Sequence, residues 1–311
     1  MNELPYTSYA AYLSRQFFHK IQKLPVDVGF SCPVRDGRIS RGGCSFCNGR
    51  SFVPDMCSPQ NSVTNQLESG KLFFERKYKH QETVGYLAYF QAGSNTYAPL
   101  DLAEAYFEEA LRCPQVEGLV VATRPDCLDK GWLDYLEHLS QRTFLMVELG
   151  VESVNDKVLA RVARGHDVAM SAQAIRELAN RQIHVGIHTI LGLPGETRET
   201  LLMQADWLSA LPLQVLKLHQ LQILKGARMA EDYKKHPTDF HLFEADEYVE
   251  LVADFIERLS PEIAIERFVS QSPAGSLIAP RWGLKNDVIT NRIIAELNRR
   301  GTRQGCLCTL E

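Results

Sequence analysis

Three cysteines near the start of the chain have a spacing that suits a metal centre. Eleven residues separate Cys32 from Cys44 and two separate Cys44 from Cys47, in a loop rich in glycine and arginine. Thiolates are soft ligands for zinc or iron–sulfur clusters, and a CxxC pair lets one turn present two of them. The number three is informative, because a closed structural zinc site takes four ligands. A [4Fe–4S] cluster held by three cysteines keeps one iron open for another molecule.

A fourth cysteine leaves a zinc site open as the alternative. Cys57 follows Cys47 by ten residues, so four thiols together satisfy the ligand count of a structural zinc ion. CxxC is common in both kinds of site, so the loop by itself does not separate them. The alternatives are a cluster enzyme and a non-catalytic, zinc-stabilised RNA-binding protein. Cys306 and Cys308 form a further pair near the last residue, which we interpret as not bound to a metal.

The composition is that of an ordinary folded chain. Of the 311 residues, 45% are hydrophobic and 23% are charged, and the net charge is −4. The first 20 residues lack the apolar core of a signal peptide, and no apolar run approaches the length of a membrane span. Eight cysteines without a secretory signal indicate a reducing compartment. We therefore expect a cytoplasmic protein with no membrane span.

The net negative charge argues against a generally basic nucleic-acid binder, so any contact to RNA has to come from local groups of cations. Three such groups occur, and we interpret the second and third as solvated surface. They are Arg35, Arg38, Arg41 and Arg50 around the cysteines; residues 76–80; and Arg299, Arg300 and Arg303.

Strand-like apolar runs alternate with helical patterns along most of the chain. This order predicts an α/β fold with a parallel sheet and right-handed crossovers, in which the active site lies at the carboxyl ends of the strands. We expect a partial (β/α)6 barrel over residues 26–225, an N-terminal helical extension over 1–25 and a small C-terminal α/β cap over 226–311. The predicted strands are residues 26–30, 84–90, 118–123, 144–151, 183–191 and 215–224.

Polar side chains share the predicted inner faces of three strands. In the fifth strand His184 and His188 lie opposite an apolar face that we expect against the helices, since successive side chains alternate sides. Glu148 and Glu152 share a face of the fourth strand, and Lys217 lies on the corresponding face of the sixth. A purely structural barrel is filled by branched apolar side chains. The partly polar interior therefore indicates a bound ligand.

Two turns follow predicted strands at the same end of the sheet. Residues 192–197, Gly-Leu-Pro-Gly-Glu-Thr, lack the lysine of a P-loop, and we interpret them as a tight turn with Thr197 as the helix N-cap. Arg124 follows the third strand. The residue types leave two roles open for it, binding an anion or pairing with a nearby carboxylate.

The chain resembles the radical S-adenosylmethionine (radical SAM) enzymes over nearly all its length. Within them it is similar to the YhcC/YtqA-type subfamily, a relative of the Elongator catalytic subunit and of oxygen-independent coproporphyrinogen oxidase. The spacing from Cys32 to Cys44 departs from the CxxxCxxC of many radical SAM enzymes and matches this subfamily. The other matching stretches are residues 90–97, 123–126, 148–153, 164–166 and 191–196.

The resemblance implies roles for individual residues. Cys32, Cys44 and Cys47 would ligate a [4Fe–4S] cluster whose open iron binds S-adenosylmethionine (SAM), and Cys57 would not be a ligand. The other implied contacts are with SAM: Phe46, Leu221 and Ile223 near the adenine, and Gln91 and Gly93 near the methionine amino group. Glu152 would lie near the ribose and methionine end, Arg164 would bind the carboxylate, and His188 would bind a ribose hydroxyl. Relatives often have a glutamate at the position of Ala122, and here that contact is either lost or supplied by Arg124.

The resemblance also implies an activity, the reductive cleavage of SAM to a 5′-deoxyadenosyl radical with an external electron donor such as flavodoxin or ferredoxin. The subfamily resembles the enzyme that converts a 5-carboxymethylaminomethyl group of a bacterial tRNA wobble uridine to 5-aminomethyl. We therefore expect a tRNA substrate, with anticodon phosphate at the arginines of the cysteine loop and the base flipped into the barrel. A radical reaction on a small molecule is the alternative among enzymes.

Overall fold

The computed structural model of the chain describes residues 4–49, 53–54, 56–76, 84–273 and 275–309. The strands in these parts are β1 (Lys20–Val26), β2 (Val84–Phe90), β3 (Val116–Thr123), β4 (Phe144–Glu152), β5 (His184–Leu191), β6 (Val215–Gln220), β7 (Ile223–Leu224), β8 (Ala264–Arg267) and β9 (Leu277–Ala279). The α-helices are α1 (Tyr9–Ser14), α2 (Val63–Glu75), α3 (Leu100–Leu111), α4 (Lys130–Ser140), α5 (Asp156–Arg161), α6 (Val168–Asn180), α7 (Arg198–Ser209), α8 (Arg228–Lys235), α9 (Ala245–Arg258) and α10 (Asn286–Arg300).

Seven strands form one parallel sheet in the order β1-β2-β3-β4-β5-β6-β8. The sheet curls into a partial barrel in which β1 and β8 are the two edges. The predicted α/β class and partial barrel are confirmed, with one more strand than predicted, because β8 from the C-terminal part of the chain pairs with β6. The short strands β7 and β9 form a separate antiparallel pair.

The N-terminal part differs from the prediction. Helix α1 is only six residues long, and the first strand is Lys20–Val26 rather than residues 26–30. Pro25 lies inside this strand, which an edge position tolerates because proline removes a ladder N–H. Gly29, with φ +77°, turns the chain away from the sheet. The first strand therefore lies within the segment that the sequence predicts as a helical extension.

The apolar core lies between the outer face of the sheet and the helices. Val185, Ile187 and Leu191 of β5 point into it and are fully buried, as the alternation along this strand predicts. Helix α9 packs between α7 and α10 and continues the helical layer toward the C-terminus. In the described part of the chain, no helix has the length and apolar character needed to cross a membrane. This layer leaves the inner face of the sheet for the site.

Helix α1 closes the amino-terminal end of the barrel. Tyr12 is buried there with Met146, and its Oη lies 2.8 Å from Nδ1 of His184. A bridge between Ser8 and Ile265 ties the segment before α1 to the edge strand β8. The open end of the barrel is therefore the carboxyl end of the strands.

Candidate active site

A cavity of about 1030 Å³ extends from the cysteine loop into the barrel. Inward side chains of the parallel strands line its walls, and residues of α1 line its far end. The structure brings eleven of the predicted site residues to this one cavity. They are Cys32, Cys44, Phe46, Cys47, Gln91, Gly93, Arg124, Glu152, Arg164, His188 and Leu221.

Ile223 is the predicted site residue that the structure places elsewhere. It does not line the cavity but is fully buried behind it, in an apolar cluster that also contains Leu221 and Phe46, whereas Leu224 lines the cavity. The prediction assumed that one strand continues through residues 215–224. Strand β6 ends at Gln220 and the chain turns into β7, so the alternation of faces does not carry across to Ile223.

The turn after β2 fixes the start of the cysteine loop. Gly93 has φ +71°, and a Cβ at this position would lie 2.2 Å from the carbonyl oxygen of Phe30. Only glycine fits so close an approach in this conformation. The neighbouring Ser94 donates its backbone N–H to Ser31 O at 3.0 Å. The loop that begins at Cys32 is therefore held against the carboxyl ends of β1 and β2.

Arginines lie close to Cys44 and Cys47. Arg35 Nη2 lies 3.2 Å from Cys47 Sγ, and Arg164 Nη1 lies 3.5 Å from Cys44 Sγ. Arg124 Nη1 is 4.0 Å from the same sulfur. Burial raises the pKa of the Cys47 thiol, and the Arg35 cation acts against this rise. The arginine cations thus favour the thiolate form, which binds metal, against the opposing effect of burial.

Cys57 lies apart from these three thiols. Its Sγ donates to Pro25 O at 3.1 Å, and the residue does not line the cavity. Burial raises the pKa of this thiol to about 11. Among the described residues, no group of three or more His, Cys, Asp or Glu side chains is positioned to hold a single metal ion. In a [4Fe–4S] cluster each thiolate binds a different iron, so three cysteines at one end of a cavity suit a cluster.

Arg164 and Ser94 present buried polar atoms to the cavity. Arg164 donates to Gly150 O, and its guanidinium lies 3.6 Å from Glu152 Oε1. Within the described residues, Arg164 Nε and Ser94 Oγ are buried without a hydrogen-bond partner. Such atoms are rare in folded proteins unless a ligand or water completes them. The donor set fits a ligand with a carboxylate beside the cysteines, as SAM has.

Arg124 pairs with a carboxylate, which is one of the two roles that the sequence left open. Its Nε and Nη2 donate to the two carboxylate oxygens of Asp126 at 2.8 and 2.9 Å. Nη2 also donates to the backbone oxygen of Arg164 at 2.6 Å. Arg124 therefore holds the turn that carries Arg164.

Two lysines and two glutamates form a buried ion cluster deeper in the barrel. Lys23 Nζ lies 2.6 Å from Glu148 and 2.5 Å from Glu266, and Lys217 Nζ lies 2.6 and 3.2 Å from the same two carboxylates. His188 Nε2 is 2.8 Å from Glu148 Oε2. Burial by itself would raise the pKa of Glu148, but the two lysines hold it well below its ordinary value. We call these two lysines and two glutamates the lumen ion cluster.

Sequence reasoning missed Lys23, Glu266 and Arg267 as cavity residues. Lys23 and Glu266 come from the two edge strands and join them across the open side of the barrel. The available signal was a charged residue inside a short apolar stretch, as in Ala-Ile-Glu-Arg at residues 264–267. Such a residue is costly to bury and needs a partner, so its presence points to a functional interior.

Comparisons with known proteins show the family of this chain. The profile of the Radical SAM superfamily matches residues 35–208, and that of the Radical SAM C-terminal domain matches residues 213–299. The uncharacterized protein YtqA of Bacillus subtilis is 35% identical over 294 residues, which cover 94% of this chain and 90% of YtqA. Protein YhcC of Escherichia coli is 34% identical over 271 residues, which cover 87% of this chain and 85% of YhcC.

More distant relatives share part of the chain or its fold. A tRNA uridine(34) acetyltransferase of Dehalococcoides mccartyi is 27% identical over 174 residues, covering 55% of this chain and 36% of that protein. The structure of Methanocaldococcus infernus Elp3 superposes with a TM-score of 0.70 at 15% identity, covering 92% of this chain and 64% of that one, and shows the same fold. The match of the superfamily profile and the two near full-length relatives establish that this chain belongs to the radical SAM superfamily, in its YhcC/YtqA-type subfamily, with a [4Fe–4S] cluster and SAM as cofactors.

Proposed function

We propose that this protein modifies a wobble uridine of tRNA by converting a 5-carboxymethylaminomethyl side chain to 5-aminomethyl. When bound, the cluster and SAM would supply the chemistry that removes a hydrogen atom from the carboxymethyl carbon, with methionine and 5′-deoxyadenosine as the products of SAM. Return of one electron to the cluster and addition of water would then release the two-carbon fragment as glyoxylate and leave the amine. The observation that carries the proposal is the cavity of about 1030 Å³ with charged groups beyond its cysteine end. Ligand sites are commonly about 300–1,000 Å³. The cavity therefore leaves room for a substrate group beside SAM.

The residues at the cysteine end divide into those for the cluster and those for SAM. Cys32, Cys44 and Cys47 would hold the cluster, and Arg164 would bind the SAM carboxylate. Glu152 has φ +71° at a bulge of β4, which directs its carboxylate toward Arg164. Phe46 and Leu221 supply apolar surface for the adenine, and His188 of β5 also lines the cavity.

Exposed cations next to the cysteine loop support an RNA substrate. Arg38 lies over the ring of Tyr97 at 5.5 Å, and Arg228 Nη2 donates to Gly43 O at 2.5 Å. Phosphates are bound by arginine and lysine side chains held in this way on a surface. We call the following group the basic rim: Arg35, Arg38, Arg41, Lys225 and Arg228, all of them exposed.

The other basic groups of the sequence add no support. Arg50 and residues 77–80 lie outside the described residues. Arg299 and Arg300 both pair with Glu296, and Arg300 also pairs with Asp254. Arg299 is exposed, as the interpretation of this group as solvated surface expects, whereas Arg300 is half-buried by its pairs with Asp254 and Glu257, which corrects that interpretation.

The similarity to the tRNA uridine(34) acetyltransferase supports the choice of tRNA. That protein is named for an activity at uridine 34, and the stretch shared with it covers 55% of this chain. The shared stretch covers only 36% of the acetyltransferase. The acetyl transfer itself is therefore not carried over, and the similarity bears on the RNA alone.

Deletion of the gene is expected to change the wobble uridines of cellular tRNA. The 5-carboxymethylaminomethyl nucleoside should accumulate and nucleosides derived from 5-aminomethyluridine should fall, as measured by mass spectrometry of tRNA digests. Expression of the wild-type chain should restore the profile, and the Cys44→Ala variant should not, because it loses a cluster ligand. An unchanged profile, together with SAM cleavage by the purified protein, would leave the radical SAM class in place and exclude this tRNA substrate.

A further inference from the structure

A bulge at the end of β8 directs two consecutive charged side chains to the cavity. Leu216 pairs with Ile265, but Lys217 pairs with Arg267, so Glu266 is the extra residue. Successive side chains of a regular strand point to opposite faces. Here Glu266 and Arg267 both line the cavity. Bulges beside active sites commonly re-aim a side chain in this way.

The far part of the cavity holds more positive than negative charge. Each carboxylate of the lumen ion cluster already contacts both of its lysines. The closest approach of Arg267 to a carboxylate among the described residues is 3.9 Å, from its Nη2 to Glu266 Oε1. Three cations therefore share two carboxylates. The Arg267 side chain is 38% exposed, so its guanidinium is accessible to an anionic ligand that enters the cavity.

His188 and His219 lie nearby and carry no negative charge that could compensate the three cations. His219 offers a further hydrogen-bonding atom. The rings of His188 and His219 stack with centroids 5.3 Å apart, and burial lowers the pKa of both. His219 lines the cavity, and within the described residues its Nε2 is buried without a hydrogen-bond partner. Arg267 pairs with Lys217, and His219 follows Lys217 by two residues on the same face of β6, so Arg267 and His219 line neighbouring parts of the cavity. A guanidinium fork beside an unpartnered imidazole nitrogen suits a carboxylate.

We propose that Arg267, with His219 beside it, binds the carboxylate of the substrate's side chain and so distinguishes substrate from product. This inference rests on the proposed function, in which the substrate carries a carboxymethylamino group and the product carries an amine. Arg267 is on β8, whereas Arg164, the residue for the SAM carboxylate, follows α5 at the cysteine end. Two different arginines thus bind the carboxylate of SAM and the carboxylate of the substrate. The product lacks the substrate's carboxylate and therefore binds less tightly.

Binding of two anticodon stem-loop RNAs tests the inference. One RNA carries 5-carboxymethylaminomethyluridine at the wobble position and the other carries 5-aminomethyluridine. Dissociation constants are measured by fluorescence anisotropy with cluster-loaded protein and SAM, without reductant, so that no turnover occurs. The wild type should bind the carboxylate-bearing RNA about tenfold or more tightly than the amine, as for hydrogen bonds to charged groups. In Arg267→Gln the ratio should fall to within about twofold, and Arg267→Lys should keep part of it.

A matched control and a small-molecule experiment make the outcomes distinct. Arg292→Gln removes an exposed arginine that pairs with Asp246 on another surface, so it should keep the wild-type ratio. A wild-type preference that persists in Arg267→Gln would overturn the inference and leave the proposed function standing. Equal binding of both RNAs by the wild type would also overturn it.

If the wild type binds neither RNA, calorimetry with small molecules tests the carboxylate site directly. N-methylglycine is the probe with a carboxylate, and dimethylamine is the probe without one. Binding of N-methylglycine that Arg267→Gln abolishes would support the carboxylate site while the tRNA substrate fails. Failure of N-methylglycine to bind would overturn the site as well.

Discussion

The Arg164→Ala variant is expected to bind SAM about 10- to 150-fold more weakly than the wild type, which corresponds to the roughly 1.5–3 kcal/mol of a hydrogen bond to a charged group. Arg164 lies at the cysteine end of the cavity, where its Nε is buried without a partner among the described residues. Removal of the guanidinium would eliminate the charge-assisted bond that we propose between Arg164 and the SAM carboxylate. Equilibrium binding of SAM to the cluster-loaded protein, with iron content measured in parallel, gives the result.

Arg161→Ala is the matched control for this experiment. Arg161 lies three residues earlier, and its exposed side chain pairs with Asp239 at 3.0 Å. It should bind SAM as the wild type does, since an exposed pair contributes at most about 1 kcal/mol to stability and lies outside the cavity. Unchanged SAM affinity in Arg164→Ala, at normal iron content, would remove Arg164 from the site.

The Glu148→Gln variant is expected to be less stable by about 3–5 kcal/mol, because it removes one of the two carboxylates that compensate the buried lysines and leaves both cations on Glu266 alone. Glu148 contacts Lys23 and Lys217, each at 2.6 Å, and is itself fully buried. Glutamine keeps the volume but not the charge. The midpoint of thermal unfolding should fall by roughly 6–10 °C, at about 2 °C per kcal/mol for a chain of this size.

The pH dependence of the stability difference between the wild type and Glu148→Gln separates the effect of charge from that of packing. The folded-state pKa of Glu148 lies well below its ordinary value of 4.5. A depressed carboxyl pKa stabilises the fold above the ordinary value, and this contribution is lost as the pH falls toward the folded-state value. The gap between wild type and Glu148→Gln should therefore be widest near neutral pH and narrow in acid.

Asp134→Asn is the control, since Asp134 is half exposed and pairs with the exposed Lys130. It should cost no more than about 1 kcal/mol. A Glu148→Gln variant as stable as Asp134→Asn would show that the lumen ion cluster does not stabilise the barrel.

The alternation of side chains in strands made the barrel interior predictable. Glu148, His188 and Lys217 were placed on inward faces from their spacing alone, and the structure brings all three into contact. The pattern works in β4, β5 and β6 because these central strands bury their outward apolar faces against helices. Polar side chains on the inward faces of these strands can therefore be recognised from the sequence.

The partners of Lys23 could not be predicted. Its carboxylates, Glu148 and Glu266, are 125 and 243 residues away in sequence. Periodicity gives the face of a residue but not which edge strand lies opposite. The bulge that brings Arg267 to the cavity is likewise set by pairing with β6 and not by local sequence. Long-range pairing therefore decided the part of the site that the sequence left unassigned.

Helix α2 shows the limit of amphipathic patterns. It has no counterpart among the predicted elements. It buries Gly70 and Lys71 and exposes Leu72 and Phe73, the reverse of the usual pattern. Lys71 is buried because its Nζ donates to Pro114 O and to Glu68, each at 2.7 Å. Gly70 packs close to Leu24 of β1, where a Cβ would lie 3.1 Å from Leu24 Cδ2.

Cys32, Cys44 and Cys47 are expected to hold a [4Fe–4S] cluster on which SAM is cleaved, and Cys57 is expected to take no part. The most direct measurement is the iron and zinc content of anaerobically purified protein, with release of 5′-deoxyadenosine after reduction. Wild type and Cys57→Ala should both contain about four irons per chain and cleave SAM, whereas Cys44→Ala should do neither. A colourless wild type with one zinc per chain, lost in Cys57→Ala, and no release of 5′-deoxyadenosine would contradict the account.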